Sequence, residues 1–253
     1  MIIDEFPSII IACDVGTGKE GMNLYRKILK ETGDIKEVGG YQIKSYFGLD
    51  WGLENSVRRA KEATGKKIIY EHNTLGYGDE RDAKVYAEIF SNAGIDAVTL
   101  ELTDRNNTSD YWIGALMEAG IGIIARGKPT FRLRFDQNLD QELVAVHDDA
   151  IKRGVRDLQI PANKPNEVRE ILAKANLLEI PEIKGVCDRE PVKLTFYPVG
   201  FGELYQGGKI EDVGIFGERF HPIVGRLIYT APDIKKATNE FIGKMNASSA
   251  RKK

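Results

Sequence analysis

From Ser8 to Val15 the chain reads Ser-Ile-Ile-Ile-Ala-Cys-Asp-Val, an apolar run that ends at Gly16 and Gly18. A continuous apolar run of this length predicts a strand buried on both faces, as in a parallel sheet. Met22, Tyr25, Ile28 and Leu29 then recur at helical spacing, and Gly33 stops that helix. The same alternation continues. Strands are predicted over 41–46, 67–71, 97–102, 121–125, 155–160, 192–196 and 220–224, and helices over 53–63, 110–119, 139–153, 166–175 and 232–245. A further helix starts at Asp79, a good N-cap, and presents Val85, Ile89 and Phe90 on one side. Lys128 to Phe135 alternates apolar and basic residues and fits either an extra strand or an active-site loop. The segment after Met245 reads as a frayed tail.

Strands that alternate with helices imply a parallel sheet. Eight such units favour closure into an α/β fold of the (β/α)₈ TIM barrel type over an open doubly wound sheet, and 253 residues suit one such domain, here 1–245. The turn after the first strand, Asp14-Val-Gly-Thr-Gly-Lys19, is neither a dinucleotide fingerprint nor a complete phosphate-binding P-loop. Lysine and arginine number 36 against 38 acidic residues, which argues against a nucleic-acid wrapper or a membrane-surface binder. No apolar run reaches membrane-spanning length, and the first residues lack the basic start of a signal peptide. Cys13 and Cys187 read as free thiols of a reducing compartment, so a cytoplasmic protein is expected.

Two late glycine turns carry the clearest ligand chemistry. One runs from Tyr197 to Gly208 and includes Gly202, Gln206 and Gly207; the other, His221 to Arg226, includes Gly225. Glycine N–H groups, an amide and a guanidinium supply what a phosphate monoester needs, and the loops after the last two strands of a barrel are its usual seat. Polar residues that end barrel strands point into the same mouth: Asp14, Lys44, Glu71 with His72, Glu101, Arg126, Gln159 and Asn163. Asp14, Lys44 and Glu71 would form a carboxylate–lysine–carboxylate cluster suited to stabilising and then protonating a carbanion. No metal is expected, because Glu71-His72 has no partner at ligand spacing. His147 reads as a solvated helix residue, His221 as a packed strand residue, and Trp51 and Trp112 as packing residues.

Asp14, Lys44, the Gly-Phe-Gly…Gln206-Gly-Gly stretch and Val-Gly-Arg226-Leu-Ile-Tyr229, in that order, resemble orotidine 5′-phosphate decarboxylase. The resemblance implies a TIM barrel, a homodimer with sites near the subunit interface, and neither metal nor organic cofactor. It implies a phosphorylated nucleotide substrate held through Gln206, Gly225 and Arg226, with Asp14 on the ribose and Lys44 in a charged network under the pyrimidine. The family's Asp-x-Lys-x-x-Asp after strand three is here Glu71-His72-Asn73-Thr74-Leu75-Gly76, with no lysine. Three readings follow. The first is a UMP-forming lyase of pyrimidine biosynthesis in which Lys44 or His72 takes over the missing role. The second is an aldolase or isomerase on a sugar phosphate, with Glu71 and His72 as acid and base. The third is a silent binder of phosphate ligands.

Overall fold

A computed structural model describes residues 2–4, 7–72, 75–102, 108–127, 139–177, 193–202, 207–216 and 218–250. Gln206, Cys187, Asn73, Thr74 and the 128–135 segment lie outside the described residues. The strands are β1 (Ile9–Ala12), β2 (Val38–Lys44), β3 (Lys67–Glu71), β4 (Ala97–Glu101), β5 (Gly122–Arg126), β6 (Asp157–Pro161), β7 (Thr195–Val199) and β8 (Ile223–Val224). The helices are α1 (Gly18–Thr32), α2 (Ser45–Trp51), α3 (Leu53–Thr64), α4 (Glu80–Ala93), α5 (Thr108–Glu118), α6 (Leu139–Lys152), α7 (Pro165–Leu177), α8 (Arg226–Tyr229) and α9 (Ile234–Ala250). All strands belong to one parallel sheet in the order β7-β6-β5-β4-β3-β2-β1-β8. The remaining gap is bridged just before β8: the Phe196 N–H donates to the Arg219 carbonyl at 3.0 Å, and the His221 N–H donates to the Phe196 carbonyl at 2.8 Å. The result is the (β/α)₈ barrel expected from the alternation.

Closure gives each strand an inside and an outside, and the two-residue repeat of a strand sorts its side chains between them. Ile9, Ile11, Val38, Tyr41, Ile43, Ile68, Tyr70, Val98, Leu100, Ile123 and Leu158 face the helices in one large apolar layer. Ile10, Ala12, Ile69, Ala97, Ile124, Tyr197 and Ile223 form a second, smaller cluster that fills the barrel, with Ile2 and Ile3 packed against it. The strands are largely apolar because both faces are buried.

Local signals hold at several helix ends. Asp79 caps α4 through the N–H groups of Arg81 and Asp82 and forms a capping box with Asp82. Gly65 and Gly94 end α3 and α4 in the left-handed conformation that costs glycine least. Elsewhere the structure departs from the pattern. On α4 the buried stripe is Ala83, Ala87, Phe90 and Ala93, while Val85 and Ile89 are exposed; alanines let the helix approach its neighbours closely. His147 is not solvated but fully buried, its ring nitrogens 2.7 Å from the Leu143 carbonyl oxygen and 3.1 Å from that of Gln159, so it ties α6 to β6. The last helix continues beyond Met245 to Ala250, helped by the Ser249 hydroxyl, which donates to the Met245 carbonyl at 3.1 Å.

The barrel floor is polar. Ser8 Oγ lies 2.7 Å from His221 Nδ1, and the Tyr197 hydroxyl donates to Asp157 at 3.0 Å. Burial, reinforced by the nearby Arg219 charge, lowers the His221 imidazole from 6.5 to about 4. Between those values the unfolded chain binds a proton that the native one does not, so this contribution is full above pH 6.5 and is lost as pH falls towards 4. The loss across the window is on the order of 3 kcal/mol. Urea unfolding at pH 7 and pH 4.5 is expected to show a smaller acid-induced drop for His221→Gln than for the wild type.

Candidate active site

The inward parity that fills the barrel with isoleucine and alanine continues upward, and the last inward residue of five successive strands is charged. Asp14 follows Ala12 beyond β1, Lys44 ends β2, Glu71 ends β3, Glu101 ends β4 and Arg126 ends β5. Register sets them side by side: Lys44 pairs across from Glu71, and Glu101 from Arg126. The Lys44 ammonium donates to Glu71 Oε2 and lies 3.8 Å from Asp14 Oδ1. Arg126 donates from Nη1 to Glu71 Oε1 at 2.9 Å and from Nη2 to Glu101 Oε2 at 3.1 Å. The Tyr77 hydroxyl donates to the other Glu101 oxygen at 2.7 Å. The ion-pair contacts therefore alternate in sign, Asp14 to Lys44 to Glu71 to Arg126 to Glu101, with Arg126 reaching across β4 to Glu71.

Exposure grades this arc. The side chains of Glu71, Arg126 and Glu101 are 8, 10 and 8 % exposed, against 25 % for Lys44 and 40 % for Asp14. A buried carboxylate must be paired to remain charged, and each Glu71 oxygen has its own cation. The open end at Asp14 and Lys44 is where a ligand can reach the cluster. Burial raises the Asp14 carboxyl above its ordinary value; Lys44 opposes that shift, Glu71 adds to it, and Arg226 opposes it. Arg226 stands just after Gly225, whose Cα carries no side chain where it packs against Ala12 of β1.

The turn after β7 is held shut at its base. Gly207 donates to the Gly202 carbonyl and Gly202 to that of Gly208, both at 3.2 Å, and Gly208 donates to that of Gly200 at 3.1 Å. A Cβ on Gly208 would meet the Gly200 carbonyl oxygen at 2.7 Å and Ala162 Cβ at 2.8 Å. Gln206, the amide expected in this turn, lies outside the described residues. Beside Arg126 in register is Gln159, whose Oε1 is buried with no hydrogen-bond partner among the described residues, an acceptor facing the barrel. His72 stacks on Tyr70, with ring centroids 6.4 Å apart and planes 5° apart, and Tyr70 belongs to the layer under the helices. Partial burial lowers its imidazole, which favours the neutral ring.

Asp14, Lys44 and Glu71 are thus brought together, and His72 is found against the outward-facing Tyr70. The sequence reading named Glu101 and Arg126 as strand ends but left them out of the cluster, and it missed Tyr77. Inward parity was the available signal for the first two. Tyr77 depends on the fold of the β3–α4 loop, where the Glu101 N–H donates to the Leu75 carbonyl at 3.2 Å and Trp112 Nε1 to that of Gly78 at 3.0 Å. Gly76 adopts φ 111° there, and a Cβ would collide with the Glu101 carbonyl oxygen. Among the described residues no three His, Cys, Asp or Glu side chains are grouped to hold a metal ion, and no helix is long and apolar enough to cross a membrane.

Neither a family model nor a curated protein matches the sequence. Solved structures do match the fold. The orotidine 5′-monophosphate decarboxylase of Methanocaldococcus jannaschii, in complex with the inhibitor BMP, superposes with a TM-score of 0.71 at 19% identity, over 96% of this chain and 100% of its own. The Pyrococcus horikoshii orotidine 5′-phosphate decarboxylase gives 0.69 at 23% identity over 94% and 99%. The Leishmania donovani OMP decarboxylase gives 0.70 at 15% over 96% and 92%. The barrel is the barrel of these enzymes, over nearly the whole of each chain.

A carboxyl raised by its surroundings carries a stability cost when ionised. The proton-bound form is favoured in the native state, so the stabilising contribution of Asp14 is present below the ordinary carboxylate value of 3.8 and is lost as pH rises through its native value. Asp14→Asn is therefore expected to raise the Tm at pH 7, by an amount that shrinks as pH falls towards 3.8. With 40 % of the side chain exposed, solvent keeps the gain small. Calorimetry across that pH range checks both the sign and the trend.

Proposed function

We propose that this chain is a lyase of the orotidine 5′-phosphate decarboxylase kind, which acts on a phosphorylated pyrimidine nucleotide. The observation that carries the reading is the placing of Lys44 between Asp14 and Glu71 at the open end of the charged arc, with the Arg226 charge felt at Asp14. The fold shared with the decarboxylases supports it.

In this reading the substrate phosphate is gripped by Arg226, by the backbone at Gly202, Gly207 and Gly225, and by Gln206. Asp14 accepts from the ribose, and the pyrimidine lies over Lys44. The buried Oε1 of Gln159 is suited to accept an N–H of the base. Breaking the carbon–carboxylate bond releases CO₂ and leaves an electron pair on the ring carbon. The Lys44 ammonium stabilises that charge, donates a proton to it, and is reprotonated from water. Asp14 and Glu71 hold the ammonium in place, and Asp14 opposes the substrate carboxylate until it departs. His72, stacked on Tyr70, is less suited to this proton transfer than Lys44. The resemblance also implies a homodimer, which light scattering on the purified protein checks.

Adding orotidine 5′-phosphate to the purified protein is expected to release CO₂ with a fall in ultraviolet absorbance. Lys44→Ala is expected to lower kcat by roughly 10³-fold, the scale of losing a positioned proton donor. Arg226→Ala is expected to weaken UMP binding about 10- to 100-fold, the scale of a charged hydrogen bond. Tight UMP binding by a folded protein without turnover would reduce it to a nucleotide-binding protein. UMP binding unchanged in Arg226→Ala would remove the phosphate anchor.

A further inference from the structure

Arg126 has no part in the phosphate grip and does not reach the open end of the site, yet it lies among the best-buried members of the charged arc. Its two terminal nitrogens are divided between two carboxylates: Nη1 takes Glu71 Oε1 at 2.9 Å and Nη2 takes Glu101 Oε2 at 3.1 Å. Glu101 is in turn fastened by Tyr77 at 2.7 Å, and Tyr77 belongs to the loop pinned by Gly76, Gly78 and Trp112. The planar guanidinium fixes both carboxylates in direction as well as in charge.

The consequence falls on Lys44. With Oε1 engaged by Arg126, Glu71 offers the ammonium only Oε2. Without Arg126 both Glu71 oxygens would turn to the one remaining cation, and the amine would be held more firmly and be less available. An arginine stays protonated throughout, so it can neutralise Glu71 without competing as a proton donor. We infer that Arg126 is a positioning residue: by occupying one oxygen of Glu71 it confines Lys44 to the other, so that the ammonium is held by one Glu71 oxygen rather than two and stays available as the reactive amine of the site.

This deepens the function proposed above, and only its kinetic arm rests on that reading. The other arm follows Lys44 itself, by its labelling rate with trinitrobenzenesulfonate, which attacks the free amine, resolved by peptide mass spectrometry. Arg126→Met leaves two buried carboxylates facing each other and is liable to misfold, so the charge-reduced pair Arg126→Met with Glu101→Gln is made alongside it, and near-UV circular dichroism confirms native packing. In the folded variant, Lys44 labelling is expected to slow severalfold, because the lost guanidinium bonds Glu71 directly, whereas the lost Glu101 carboxylate makes no contact with Lys44 and offsets only part of its effect. Arg126→Lys, which restores charge but not the fork, is expected to recover part of that rate. If the wild type turns over orotidine 5′-phosphate, kcat falls at least tenfold in the double variant while UMP affinity stays within about twofold, because the phosphate anchor is elsewhere. Wild-type labelling of Lys44 in the folded double variant overturns the inference whether or not the protein is a decarboxylase. A lowered Tm with unchanged labelling would mark Arg126 as structural only. Slowed labelling in the folded double variant, with no turnover by the wild type, would keep the inference and sink the decarboxylase reading.

Discussion

Every second side chain of a strand in a closed barrel must point inward, and the interior has room for only a few layers. Here the lower layers take mainly isoleucine, alanine and tyrosine above a polar floor, and the top layer takes Asp14, Lys44, Glu71, Glu101 and Arg126. The hydrogen bonds that join Phe196 to Arg219 and His221 matter for this reason. They close the circle, and closure denies the inward residues any route to solvent except through the mouth. A one-residue slip in β3 would exchange Glu71 for Tyr70 and disperse the charges. The apolar identity of Ile68 and Ile69 on opposite faces does not forbid such a slip. The register does, through pairs such as Lys44 with Glu71 and Tyr41 with Ile68.

A row of charges near the top of an apolar barrel is not a cheap way to stabilise a fold. Ion pairs removed from water recover in attraction about what they lose in hydration, and apolar packing of similar volume commonly does better. The arc also carries more carboxylates than cations: Asp14, Glu71 and Glu101 face Lys44 and Arg126. The raised carboxyl of Asp14 is one sign of the resulting strain, since Glu71 and burial both disfavour its charge. A surplus negative charge held at the open end is unfavourable for the empty protein. It becomes useful when a ligand brings positive charge, or loses negative charge during reaction. This is the direction expected of a site that gives up stability for chemistry.

Much of the architecture could be read along the chain because a parallel barrel writes itself locally. Uninterrupted apolar runs such as Ile9–Ala12 mark strands covered on both faces, and Asp79, Gly65 and Gly94 mark helix ends by their own backbone chemistry. Asp14 and Glu71 were legible because each stands at the end of such a run, and Lys44 as a charge within the predicted second strand. What could not be read depends on neighbours across the sheet. Periodicity on α4 favoured Val85 and Ile89 by their size, whereas the fold buries the small Ala83 and Ala87, because the sheet and flanking helices leave little space there. A histidine in mid-helix is polar by type, and only the distance to the Gln159 carbonyl shows that His147 is a buried link. Arg126 was visible as a strand end, but its partners on β3 and β4 come from register, which no stretch of sequence displays by itself.

The two cations beside Glu71 also differ in kind, and the difference decides what each can do. A guanidinium is planar and permanently charged, well suited to fix two carboxylates at once. An ammonium on a flexible stem is a point charge that can surrender a proton. In this barrel the fixed cation occupies the buried side of Glu71 and the labile one the wet side, beside the partly exposed Asp14. The reverse order would bury the titratable cation away from any ligand and leave a group that cannot titrate at the mouth. The lysine that the sequence resemblance leads one to expect after strand three is absent here, and it is β2 that brings an ammonium to Glu71, while β5 brings a guanidinium to the other oxygen of the same carboxylate. Two cations of different kind, from strands on either side of β3, thus share one glutamate.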